Sequence, residues 1–309
     1  MTSIVLVYSH GPSISTPDAI GRNLCIGLRQ AGHEVFPIAI REKSPKLPTG
    51  LDTTAAVLIG HPTYSVHEAF NFLCRNYSFK RIIVLSPFCP RDIRKYGYLG
   101  AMGGLVDSFA VITGAYWFDQ IAEKGYLSEW ISDMYHVDLA VDTNDFPNVK
   151  DGEYNEPNKR KFLTIGNYPY WKNVEFLDNV AAALPQYEFH RIGPPHRRFA
   201  HLIQHGKMPM NSTEALEIVR KCDFFITTGN LDPNPTTILE SMALGLVPVC
   251  SEGSGYYKTR GLETFDTKNL NGTIETLEKL QSVPAHVLRE SAEFNRAQIS
   301  DHYSWGRFV

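Results

Sequence analysis

The sequence predicts an α/β protein made of two Rossmann-like β/α/β halves. Three observations carry this. The chain opens with an apolar strand pattern at Ile4 to Tyr8, helical apolar spacing from Asp18 to Gln30, and a second strand pattern from Glu34 to Ala39. A polar stretch from Asn148 to Lys161 interrupts the alternation, which restarts at Phe162-Leu163-Thr164-Ile165-Gly166. Further on, Cys222 to Tyr256 reads as strand, loop, helix and strand within about thirty residues, the size of one parallel β-α-β unit.

Size and composition agree. The 309 residues suffice for two domains, and 43% hydrophobic with 20% charged residues fits a soluble globular protein. A net charge of -3 supplies no global field for nucleic acid. No apolar run approaches the roughly twenty residues that span a bilayer. The start of the chain lacks the basic flank of a signal peptide and reads as a strand. The five cysteines show no Cys-x-x-Cys spacing, which points to buried thiols in a reducing cytoplasm.

In the first half, the opening strand runs into Ser9-His10-Gly11-Pro12-Ser13, and the following helix is closed by Ala31-Gly32-His33. A buried strand from Ala55 to Gly60 ends at His61, where ligands of open parallel sheets bind. Strands are expected again at Arg81 to Ser86 and Ser108 to Thr113, with a helix beginning at Phe118. Between these strands, Arg91-Asp92-Ile93-Arg94-Lys95-Tyr96 mixes cations with aromatic residues. It suits an anionic acceptor, a peripheral membrane contact or a solvated surface. His10, His61, Arg91 and Arg94 are the candidates on this side. The stretch from Asn148 to Lys161, with Gly152 and Pro157, reads as the linker.

In the second half, a helix is expected from Val174 to Leu184, a strand and turn from Tyr187 to Pro195, and a helix from Ala215 to Lys221. Phe224-Phe225-Ile226 is a buried strand, and Asn230-Leu231-Asp232-Pro233-Asn234-Pro235 a loop of turn formers. Thr236-Thr237 starts a helix that stops at Gly245, before the strand Val247-Pro248-Val249-Cys250. Backbone N–H groups around Asn234, Thr236 and Thr237 lack helical partners, and the helix dipole makes that end positive. Such an end suits an anion, most naturally a phosphate. Asp232 and Glu240 bracket it eight residues apart. A phosphate end, one carboxylate for a ribose and one for a sugar compose a nucleotide-sugar pocket. An ordinary β-α-β unit with Glu240 solvated on the helix surface is the competing reading.

Asp232 to Val249 resembles the E-x7-E segment of family 4 retaining glycosyltransferases, in which a Glu, seven residues and Glu-Ala-Met-Ala-x-Gly-x-Pro-Val follow one another. Here the first acid is Asp232 and the Ala position holds Ser241. The resemblance implies the GT-B fold, two Rossmann-like domains facing across a cleft. Residues 1–155 would serve the acceptor and 156–309 the nucleotide-sugar donor. It implies that Asp232 contacts the donor sugar and Glu240 the ribose, that Lys172 holds the diphosphate, and that Gly11, Gly166, Gly193, Asn234, Pro235, Thr236 and Thr237 line the donor. The family's diphosphate-binding Arg falls on Asn167, a neutral donor, so another cation such as Arg191 or Lys258 is expected to stand in. The family's acceptor-side His is missing from Ser86-Pro87-Phe88-Cys89-Pro90. Tyr303-Ser304-Trp305 resembles the closing Phe-Ser-Trp, after which the returning helix would be short or absent.

These matches imply a cytoplasmic transferase, peripheral at the inner membrane face if its acceptor is lipid-linked. Its co-substrate would be a UDP-, GDP-, ADP- or dTDP-linked sugar, with no further cofactor. Transfer would proceed with retention, the leaving phosphate taking the acceptor's proton. No Asp-x-Asp triplet occurs in the chain, so a metal-independent reaction is expected. A saccharide, a lipid-linked acceptor or a small molecule fits better than nucleic acid. Two alternatives stand beside this reading. One is a GT-B-like binding or scaffold protein without catalysis, suggested by Asn167. The other is a glycosyltransferase acting on a nucleic-acid base, which the acidic balance disfavours.

Overall fold

Parallel strand pairing dominates the computed structural model, which describes residues 1–12, 17–40, 42–60, 68–86, 105–123, 134–257 and 259–309. The chain divides into two units by its internal contacts. One comprises Met1–Thr113, Trp117–Asp138 and Trp305–Val309, the other Gly114–Tyr116 and Leu139–Ser304.

The first unit contains β1 (Ser3–Tyr8), α1 (Asp18–Gln30), β2 (Glu34–Ala39), β3 (Val57–Gly60), α2 (Glu68–Asn76), β4 (Arg81–Ser86), β5 (Ser108–Ile112), α3 (Ala115–Glu123) from Trp117 on, and β6 (Met134–Val137). Its six-stranded sheet has the order β2-β1-β3-β4-β5-β6, with every neighbouring pair parallel. The order reverses between β1 and β3. Val5, Val7, Leu58, Val84 and Val111 pack against Phe70 and Leu73 of α2. These strands are apolar because helices cover a parallel sheet on both faces.

The second unit contains β7 (Phe162–Ile165), α4 (Val174–Ala183), β8 (Phe189–Ile192), β9 (Ile203–Gln204), α5 (Thr213–Lys221), β10 (Phe224–Thr227), α6 (Thr236–Leu244), β11 (Val247–Ser251), β12 (Glu263–Phe265), α7 (Leu270–Gln281) and α8 (Ala285–Asp301). The sheet order is β12-β11-β10-β7-β8-β9, again all parallel. The order turns between β7 and β10. Every residue of β10 and β11 is buried, as expected of central strands. Phe162 stacks between Phe189 at 4.9 Å and Phe224 at 5.3 Å. Helix α6 is buried from Ile238 through Leu244 and ends at Gly245, whose φ of 91° is a left-handed cap that favours glycine. A final short helix, α9 (Trp305–Phe308), belongs to the first unit, where Val309 lies against Gly27 of α1. Cys25, Cys74, Cys222 and Cys250 are free and buried. Among the described residues no helix is long and apolar enough to cross a membrane.

The polar stretch from Asn148 to Lys161 is not a free connector. Lys150 and Arg160 are buried, at 3% and 1% exposure, because both reach Asp223, which is fully enclosed just before β10. The Asp223 carboxylate accepts bonds from the Asn155 backbone N–H (2.8 Å), the Asn155 amide (2.7 Å) and the Lys161 N–H (2.9 Å). Lys150 Nζ lies 3.9 Å and Arg160 Nη1 3.8 Å from it. Gln281 of α7 exchanges two bonds with the Arg160 backbone, each 2.9 Å. Turn formers and charges in this stretch therefore satisfy one buried acid rather than solvating a linker.

Removing that acid leaves two buried cations without their counter-charge. Asp223→Ala is expected to destabilise the second unit by about 3–5 kcal/mol. Urea unfolding followed by circular dichroism checks this, and an unchanged midpoint would refute the electrostatic account of the stretch.

Candidate functional site

Open parallel sheets bind ligands beyond the carboxyl ends of their strands, where the strand order reverses. In the second unit this point lies between β7 and β10. Strand β7 gives way to Gly166, whose φ of 126° suits glycine alone. Its N–H donates to Ile192 O at 2.9 Å. A Cβ on Gly193 would sit 2.2 Å from Gly166 O, so glycine there lets the turns after β7 and β8 touch. Asn167 is exposed. The chain then forms a short 3-10 turn, Tyr170–Lys172, and Asn173 adopts a left-handed conformation (φ 49°, ψ 41°) ahead of α4.

That loop is tied to the one after β10. Thr228 Oγ1 lies 3.1 Å from Lys172 O and 2.9 Å from Asn173 O, and Asn230 N donates to Trp171 O at 2.9 Å. The Ser251 hydroxyl donates to Gly229 O. Asp232 N donates to Gly253 O at 3.1 Å, and Gly255 N to Asp232 O at 3.0 Å. Both loops are thereby held by backbone bonds, and Lys172 Nζ forms an ion pair with Asp232 Oδ2. The side chains are 23% and 9% exposed, so the pair is shielded but not sealed.

Helix α6 starts beside them. Its N-cap is Pro235, which makes no side-chain bond to the helix amides. The Thr236 hydroxyl and the Lys172 ammonium both lie close enough to Glu240 to favour its charged form. Glu240 is only 7% exposed, which excludes a solvated helix residue. Burial pushes its carboxyl up to about 7, against the smaller opposing pulls of the Thr236 hydroxyl and the Lys172 charge. The Tyr256 hydroxyl donates to Asn234 Oδ1 at 2.6 Å, while Asn234 Nδ2 is buried without a partner among the described residues. Lys172, Asp232, Asn234, Thr236 and Glu240 thus come together with Gly166 and Gly193 at one end of the sheet. The arrangement offers a lysine and uncapped helix amides to an anion, and a partly protonated carboxyl to hydroxyl groups.

Arg191 reaches the Gly166 turn. Its guanidinium is buried, donating from Nη1 to Pro194 O at 2.6 Å and from Nη2 to Gly166 O at 3.1 Å. In the first unit, a Cβ on Gly11 would sit 2.1 Å from Asp18 Oδ2, so the loop after β1 closes against the start of α1. His10 Nδ1 lies 2.8 Å from Tyr8 O, and the other ring nitrogen, Nε2, is buried without a partner among the described residues. Burial lowers the pKa of His10, the Asp18 charge opposing and the Arg29 charge adding to this. His61, Arg91, Arg94 and Lys258 lie outside the described residues. Sequence reasoning missed Thr228, Tyr256 and Ser251. The Thr-Thr-Gly after β10 and the Gly-rich turn before Tyr256 were the signals for them.

No protein-family model matches the chain, and no curated protein matches it by sequence. Solved structures do match in fold. Sucrose-phosphate synthase from Thermosynechococcus elongatus is similar at a TM-score of 0.73 and 13% identity, over 99% of this chain and 96% of its own. The E. coli trehalose-6-phosphate protein bound with UDP-2-fluoro glucose is similar at 0.72 and 11% identity, over 99% and 97%. Anabaena HepE in complex with UDP and glucose is similar at 0.63 and 11% identity, over 99% and 96%. At these identities the likeness is one of fold, the two-sheet GT-B architecture.

The burial of Glu240 has a pH signature. Its folded pKa of about 7 exceeds the ordinary 4.5, so the folded state favours the protonated form. That contribution is complete below the unfolded value and is lost as pH rises through the folded one. The unfolding midpoint should therefore fall between pH 5 and pH 8. Glu240→Gln should lack this fall and gain about 3 kcal/mol over the parent protein above pH 8. Parallel pH profiles for the two proteins would contradict it.

Proposed function

We propose that this chain is a glycosyltransferase that moves a sugar from a nucleotide-sugar donor to an acceptor hydroxyl with retention at the anomeric carbon. The supporting observation is the convergence of Lys172, Asp232, Thr236 and Glu240 at the β7/β10 reversal, in a fold shared with proteins that hold UDP or UDP-2-fluoro glucose. A UDP-linked hexose is accordingly the first donor to test. The second unit serves the donor and the first unit the acceptor.

In this mechanism the donor diphosphate lies on the uncapped start of α6 and takes Lys172 from Asp232. Asp232, so released, accepts bonds from the sugar hydroxyls, and Glu240 accepts from the ribose. The bond between the anomeric carbon and the β-phosphate oxygen breaks. The acceptor oxygen bonds to that carbon on the same face, and its proton passes to the leaving phosphate. Lys172 and the α6 amides stabilise the charge that develops there, so no metal is required. His10 serves the acceptor side, where its Nε2, without a partner among the described residues, faces the acceptor's hydroxyl. A saccharide or lipid-linked acceptor fits, the latter with a cytoplasmic protein resting on the membrane through Arg91, Arg94 and their aromatic neighbours.

A thermal-shift panel of UDP-, GDP-, ADP- and dTDP-sugars tests the donor site. One donor should raise the midpoint, by about 2.7 kcal/mol of added stability at a hundredfold excess over Kd. With that donor, Lys172→Ala and Glu240→Ala should each lower turnover by roughly a hundredfold or more. Unchanged turnover in both would overturn the assignment, and binding with no transfer to any acceptor would favour a non-catalytic role.

Asp232→Asn separates the two tasks of the ion pair. It should tighten free UDP by several-fold because Lys172 loses its competitor, while slowing transfer. Weaker UDP binding by this variant, measured by calorimetry, would contradict the competition.

A further inference from the structure

Two arginines of the second unit are almost completely enclosed, and their surroundings differ. Arg160 lies 3.8 Å from the Asp223 carboxylate. Arg191, at 1% exposure, meets no carboxylate among the described residues. Its guanidinium donates to two backbone carbonyls, Pro194 O and Gly166 O, and lies under the rings of Tyr168 (5.5 Å) and Phe199 (5.2 Å). Carbonyls and ring faces solvate a cation but do not neutralise it. A guanidinium keeps its proton even when desolvated, so the charge stays. Burying an unpaired charge is heavily unfavourable, and a protein that does so keeps a field ready for an anion.

The place of that field is informative. Nη2 grips the carbonyl of Gly166, the residue at the strand-order reversal, one position before exposed Asn167. The nearby cation of the site, Lys172, is already paired with Asp232. A diphosphate brings more negative charge than a lysine shared with an aspartate can balance.

We infer that Arg191 is the standing counter-charge for a diphosphate bound over the Gly166 turn, acting through its field. This rests on the donor-site reading above. Arg191 is a positioning residue, since the bonds its guanidinium makes go to the backbone carbonyls of Pro194 and Gly166. Arginine suits the place because its planar fork holds two different turns at once while stacked under rings.

The test titrates inorganic pyrophosphate, UDP and UMP into the full chain by calorimetry, with Arg191→Met, Arg191→Gln, Arg191→Lys and Lys172→Ala. Loss of the charge should weaken pyrophosphate and UDP by about tenfold in the Met and Gln variants, and UMP by less. The Gln variant keeps amide donors for the carbonyls and reads the charge should the Met variant fail to fold. Arg191→Lys should stay within about threefold of the parent protein, since charge survives where the fork does not. Parent-like pyrophosphate binding by the neutral variants would overturn the inference. So would equal losses in the Lys and neutral variants, because hydrogen bonding alone would then explain Arg191. If Lys172→Ala loses pyrophosphate while the Arg191 variants keep it, the donor site stands and only Arg191 is reassigned. If the parent protein binds neither pyrophosphate nor UDP at millimolar concentration, both readings fall.

Discussion

The ion pair between Lys172 and Asp232 joins two loops sixty residues apart in sequence, and the site depends on it. One loop follows β7 and the other follows β10, and between those strands the sheet reverses its order. Bonds to the backbone of both loops hold them independently of the ion pair. Thr228 reaches the carbonyls of Lys172 and Asn173, and the turn at Gly253–Gly255 clasps Asp232. The pair is thus held by the scaffold at little entropic cost. It is also exchangeable, since partial exposure lets another anion compete for the lysine.

Charge is distributed unevenly in this unit. Around Asp223, two cations and three hydrogen-bond donors surround one acid, and the cluster serves stability. At the other end of the sheet the fold tolerates what a purely structural region would avoid. Glu240 is buried with a raised pKa, and among the described residues Asn234 Nδ2 has no partner and Arg191 meets no acid. Unmet polar needs gathered in one place mark a site that is completed from outside the chain.

Much of the fold was readable because its strands are short apolar runs between turn formers. Glu34–Ala39 and Arg81–Ser86 appear in the structure with the ends the sequence suggested. Strands β9 and β12, of two and three residues, are too short to carry a pattern. The start of α6 was legible from Pro235 and Thr236, and its end from Gly245. The burial of Glu240 was not, because a helix enclosed on every side shows no polar face to read. Nothing beside Asp223 in the sequence signals its role either. Its donors come from residues more than sixty positions earlier, a separation that local spacing does not report. The same distance hid the role of the polar stretch before β7, whose turn formers resemble a linker until their partners are known.

Helix α6 begins at a proline whose side chain makes no bond to close it. Any anion seated there finishes the helix as well as occupying a pocket, so the energy of ordering that end enters the measured affinity. A ligand can then be held firmly through few contacts, and much of its grip would be invisible in a tally of bonds. Shape changes far from the sugar would be tolerated for the same reason, provided the negative group still completes the last open turn. Recognition of this kind favours a common handle over the cargo attached to it.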